Sequence, residues 1–84
     1  MRIYGIRRIE DGEMPNGYLL PDVFFSEDAA ADFCNDIADR YIGKYNYDEY
    51  SKEWFSDGLR LIESDGEFSD IAMILKIVPL NVHN

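Results

Sequence analysis

The sequence predicts a small α+β fold, an antiparallel or mixed sheet with one amphipathic helix packed across one face, on three observations. Residues 26–43, SEDAAADFCNDIADRYIG, are a stretch in which a helix start signal, a 3.6-residue apolar period and a stop signal all agree. The segments around it are short, rich in β-branched and aromatic residues, and separated by strong turn signals. With 84 residues the chain has enough material for one modest core and not for a second, so 1–84 is expected to form a single domain.

In chain order, residues 2–9 (RIYGIRRI) read as the first strand, with Ile3 or Tyr4 and Ile6 available to a core face and Gly5 marking a bulge or a close approach of the helix. The next stretch, EDGEMPNG, gathers Asp11-Gly12, Pro15 and Asn16-Gly17 and is a loop. Apolar residues resume over 18–25 (YLLPDVFF). Pro21 has no amide hydrogen to give to a ladder, which confines this segment to a short edge strand or splits it.

The helix follows over 26–43. Ser26 is the N-cap, Glu27 and Asp28 lie at the positive end of the helix dipole, and Gly43 is the expected left-handed C-cap. Ala30, Phe33, Cys34, Ile37, Ala38 and Tyr41 fall on one stripe that must lie on a sheet; Asp28, Asp32, Asp36 and Asp39 form a stripe of carboxylates roughly opposite.

The aromatics of 44–57 follow neither period cleanly, so an acidic and aromatic loop, or a short helix from about Asp48 to Phe55, is expected there. A hairpin over 59–78 turns at Ser64-Asp65-Gly66-Glu67, and Pro79 begins a tail, 79–84. In the last strand Ile71, Met73, Leu75 and Ile77 alternate with Ala72, Ile74 and Val78. Apolar residues on both faces suit a strand covered on each side, or one covered by a partner, and a homodimer is compatible with that pattern.

Charge is the unusual quantity. Seventeen acidic against eight basic side chains give a net charge of −9, and residues 22–57 alone hold ten acids and three bases. Such a field repels nucleic acid and anionic lipid and attracts basic surfaces. Four aspartates on one helix face span about 16 Å at about 1.5 Å per residue, a charge spacing similar in scale to the phosphates of a DNA strand, about 3.4 Å apart. A phosphate-binding surface could therefore accept this face as a decoy. Tyr45, Tyr47 and Tyr50, interleaved with Asp48, Glu49 and Glu53, add contact residues suited to an Arg/Lys-rich partner. The expected partner-binding set is thus Asp28, Asp32, Asp36, Asp39, Tyr45, Tyr47, Asp48, Glu49, Tyr50 and Glu53. For Trp54 and Phe55 a small second core under the loop is expected.

Catalytic and metal chemistry lack their usual markers. The lone histidine, His83, sits in the tail, and the lone cysteine, Cys34, sits on the buried stripe, so neither a Ser-His-Asp nor a Cys-His arrangement has its parts. The acidic run 63–70 has a glycine at its centre but not the register of an EF-hand calcium loop, and no glycine-rich loop precedes the helix. No enzyme activity, no metal and no cofactor are expected. A single cysteine, the absence of an arginine-led apolar leader and the absence of an apolar run of about 20 residues fit a reducing cytoplasm and no membrane insertion.

The opening RIYGI, followed after a variable loop by Phe24-Phe25-Ser26-Glu27-Asp28-Ala29-Ala30, resembles a pattern in small proteins of bacteriophages and bacteria and covers about half of the chain. In size, acidity and lack of catalytic groups the chain is also similar to phage anti-defence proteins, including anti-CRISPR and anti-restriction DNA mimics. That resemblance implies a non-enzymatic inhibitor in the cytoplasm of a bacterial host, blocking a basic surface of a nucleic-acid-binding effector or nuclease; no functional residue is carried over by it. Two rival readings stand beside it: a small-molecule or nucleotide sequestering protein working as an oligomer, and a housekeeping adaptor.

Overall fold

The first strand pairs with the last. In the computed structural model of the chain, which describes residues 2–10, 17–45 and 49–81, β1 (Arg2–Glu10) runs antiparallel to β5 (Ser69–Asn81) along its whole length, from Arg2 opposite Asn81 to Glu10 opposite Met73. The short β2 (Tyr18–Leu19) adds to the other side of β1. β3 (Glu49–Phe55) and β4 (Gly58–Ser64) form a meander with β5. The sheet order is β2-β1-β5-β4-β3 and every pairing is antiparallel. Because β2 and β3 lie at opposite edges, the helix between them, α1 (Glu27–Lys44), carries the chain from one edge to the other across a single face. The result is the α+β architecture expected from the sequence, with the sheet wholly antiparallel.

The period of two along each strand divides the side chains between the faces. Tyr4, Ile6 and Arg8 of β1, Leu59 and Leu61 of β4, and Met73, Leu75 and Ile77 of β5 share the helix side. The buried core is Ile6, Ala30, Cys34, Ala38, Leu59, Leu61, Ala72, Met73 and Leu75, so it lies between helix and sheet. Phe33, Ile37 and Tyr41 complete the apolar stripe of α1 at its margins. The helix residues in the core are small. Ala30, Cys34 and Ala38 let the helix approach the sheet closely, while the larger Phe33 reaches sideways to stack on Phe24 with ring centroids 5.1 Å apart.

Several expectations are corrected. Ile71 does not share a face with Met73. A register shift places Leu61 opposite Met73 but Ile62 opposite Ile71, leaving Ala72 as an extra residue and turning Ile71 to the side of Ile62. Residues 49–55 are a strand and not a loop or short helix: β3 alternates Tyr50, Lys52 and Trp54 toward the helix side with Glu49, Ser51, Glu53 and Phe55 toward the other, and aromatics on both faces mask that period. Trp54, expected in a small core, is 50 % exposed.

Gly43 is not the helix cap. The helix runs on to Lys44 and ends at Tyr45, whose amide donates to the Tyr41 carbonyl and whose ring lies 4.7 Å from that of Tyr41. Pro79 does not end the last strand either. The Ile77 amide donates to the Asp57 carbonyl at 2.7 Å, so the position two residues on points the same way, past the end of β4 where no ladder partner is needed. The 18–25 segment is split around Pro21 into the two-residue β2 and a bridge between Phe24 and Tyr4. Gly5 turns away from the helix; a Cβ there would meet Leu80 at 3.0 Å and Leu19 at 3.2 Å.

Candidate functional site

The acidic face is built by α1. Ser26, in an extended conformation, accepts a hydrogen bond from the Ala29 amide at 3.1 Å and fixes where the helix begins. From that start the spacing of four, four and three residues leaves Asp28, Asp32, Asp36 and Asp39 exposed on the side away from the core. Asp28, Asp32 and Asp36 have no cationic partner among the described residues. Asp39 differs: its carboxylate meets the ammonium of Lys52 on β3, which also donates to Asn35 Oδ1 at 2.7 Å. The stripe therefore presents three unpaired charges and one that is largely neutralised.

The remaining predicted contact residues do not join that face as one patch. Glu49 and Glu53 project from the opposite side of the sheet, where Glu53 pairs with Arg60 at 3.3 Å. Tyr50 faces the helix and is half-buried against Tyr41, edge to face at 5.9 Å. Tyr45 is exposed beside Tyr41 at the helix C-terminus, with the Lys44 ammonium 5.2 Å from its ring centre. Tyr47 and Asp48 lie outside the described residues, as do residues 11–16 and 82–84 with His83.

The structure adds a feature that the sequence reading missed. Arg8 of β1 and Arg40 and Lys44 of α1 surround a cavity of about 270 Å³ walled by Tyr41, Tyr45 and Ile37, with the Glu10 carboxylate also in its lining. On the far side of the two tyrosines a second hollow is bounded by Glu10, Glu63 and Asp70. Arg8 is held by Glu10, its Nε donating to Oε1 at 3.0 Å. Burial raises the pKa of Tyr41, and the nearby carboxylates of Glu63 and Glu10 push it further in the same direction. The sequence signal for this cleft was the pair Arg40 and Lys44 at i, i+4 around Tyr41. Its third cation comes from a distant strand, and only the fold reveals that.

Cys34 has no exposure, and burial pushes its thiol up to about 11, which leaves it protonated and unreactive at neutral pH. Among the described residues no cluster of three or more His, Cys, Asp or Glu could hold a metal ion, and no helix is long and apolar enough to cross a membrane. No family model matches the chain, and neither a curated protein nor a solved structure does.

Proposed function

We propose that the protein is a non-enzymatic binding protein that sets the acidic face of α1 against a basic, nucleic-acid-binding surface of a host effector, in the manner of a phage anti-defence inhibitor. The observation that supports this reading is the row Asp28, Asp32, Asp36: three exposed carboxylates, one per turn, unneutralised among the described residues on a helix whose other side is fully used by the core. A helix kept merely soluble would more often mix signs, and like charges at i, i+4 cost a few tenths of a kcal/mol per pair. Capture from bacterial lysate tests it. The expected result is a nuclease or other nucleic-acid-binding protein that duplex DNA elutes and that an Asp28→Asn, Asp32→Asn, Asp36→Asn variant fails to retain. Equal capture by the variant would overturn the reading.

The cleft around Tyr41 and Tyr45 favours one alternative, sequestration of a small anion with a planar ring. In a chain with more than twice as many acids as bases, Arg8, Arg40 and Lys44 converge on one hollow beside two aromatic faces. A small molecule that co-purifies with the wild type and is lost from an Arg40→Ala, Lys44→Ala variant in mass spectra would support this alternative.

A further inference from the structure

We propose that the helix-free face of the sheet is the contact surface of a homodimer, two sheets stacked face to face with their helices outward. In a sheet with one solvated side that side is normally polar. Here that side carries two apolar groups, Ile3 of β1 with Val78 and Leu80 of β5, and Ile9 of β1 with Ile74 of β5 and Ile62 of β4, on either side of the opposed pair Arg7 and Lys76. All six are only half-buried; neighbours along the sheet shield their flanks, and nothing among the described residues covers them.

Charge argues for a second copy of this chain as the occupant. The cations of this face, Arg7, Arg60 and Lys76, are matched in number by Glu49, Glu53 and Asp57, and Arg60 pairs with Glu53 of the edge strand at 3.3 Å and Lys76 with Asp57 at 3.7 Å. The face is thus electroneutral on a chain of net charge −9, so it attracts neither a nucleic acid nor a basic protein, and it suits a partner that is equally flat, apolar and neutral. The same face of another copy has those properties. Stacking also separates the charge that would otherwise oppose association. Sheets pack about 10 Å apart and each helix stands about 10 Å beyond its sheet, which puts the two acidic stripes at least about 30 Å apart, against a screening length of about 8 Å.

The area is sufficient. Four strands about 4.8 Å apart and some eight residues long at about 3.3 Å each give a footprint of roughly 500 Å². Two such faces together reach the roughly 1,000 Å² that a specific interface needs.

Sedimentation equilibrium of the 84-residue chain tests the proposal. The expected mass is twice 9.8 kDa, with a dissociation constant that does not weaken as salt is raised, because the contact is apolar. Ile74→Lys should weaken association at least a hundredfold and give a monomer with unchanged far-ultraviolet circular dichroism; Asp32→Asn should leave the dimer as it is. If Ile74→Lys does not fold, a mixed sample of labelled and unlabelled wild type serves instead, with cross-chain methyl contacts expected at Ile74, Val78 and Ile62. A monomeric wild type would overturn the proposal and assign the face to a different protein. A dimer that lacks those contacts, or one that a folded Ile74→Lys variant retains, would overturn it in favour of edge pairing through β2 or β3.

Discussion

Lys52 and Asp39 join the edge strand to the helix: the ammonium of one meets the carboxylate of the other and is shared with Asn35 Oδ1. This explains why a lysine occupies an inward position of β3, between Tyr50 and Trp54, where the apolar pattern would ask for a hydrophobe. Its stem covers the edge of the core while its head reaches past it to the helix. With Asp39 57 % and Lys52 26 % exposed, water screens much of the attraction. A double-mutant cycle with Lys52→Ala and Asp39→Asn should return a coupling of about 0.5–1 kcal/mol, smaller at high salt. Chemical denaturation of the four proteins measures it, and a coupling near zero would mean that the helix is held by its apolar face alone.

The core predicts its own sensitivity. Ala30, Cys34 and Ala38 of the helix have no exposure in the core, so added volume has nowhere to go. Ala38→Leu should destabilise by about 1–3 kcal/mol, and Leu61→Ala, which opens a cavity opposite, by about 2–5 kcal/mol. Urea unfolding checks both. An unchanged midpoint for Ala38→Leu would mean that the helix–sheet contact is looser than the burial indicates.

The buried thiol gives a pH dependence of definite sign. Cys34 holds its proton to about 11 in the folded chain, against an ordinary value of 9.0. Between those values the unfolded chain has released the proton and the folded chain has not, so stability falls as pH rises through that window, by at most about 2–3 kcal/mol. Tyr41, also raised, adds to the fall above its ordinary value of 10.0. Thermal melts across alkaline pH should show a slope that Cys34→Ala reduces. A thiol reagent should leave native Cys34 unmodified at mild pH and react once the chain is unfolded.

Much of this was legible in the sequence, and the misreadings have physical causes. Helix 26–43 declared itself because Ser26, the first-turn acids and the apolar period agree, and the hairpin declared itself through Asp65-Gly66, where the Asp65 carboxylate accepts from the Glu67 and Phe68 amides and Gly66 takes a positive φ of 98°. Those two amides also hold the Asp65 pKa below its ordinary value. β3 was hidden because its inward and outward faces both carry aromatics, and because its inward lysine is explained only by Asp39 on another element. Gly43 misled because the helix runs one residue past it to Lys44 and closes with the i, i+4 contact of Tyr45 on Tyr41. Of the acidic face, the residues and their spacing were readable; the neutralisation of Asp39 and the cationic cleft beside Tyr41 required contacts between residues far apart in the chain.

The acidic stripe can be dissected by sign, since three aspartates of one helix sit in three different fields. Asp28 lies in the first turn, where the free amides and the dipole favour a negative charge. Asp32 has Asp28 and Asp36 one turn to either side and no cation among the described residues to offset them. Asp39 has Lys52. Neutralising each with asparagine should therefore have opposite effects: Asp28→Asn destabilises by about 0.3–0.5 kcal/mol, Asp32→Asn stabilises by a few tenths of a kcal/mol for each neighbour it stops repelling, and Asp39→Asn destabilises by about 0.5 kcal/mol. All three effects should shrink as added salt shortens the screening length. Melting temperatures at low and high salt read them out. If Asp32→Asn destabilised the fold, the repulsion attributed to the stripe would be absent, and with it the physical reason for regarding the row Asp28, Asp32, Asp36 as a charge held ready for a partner.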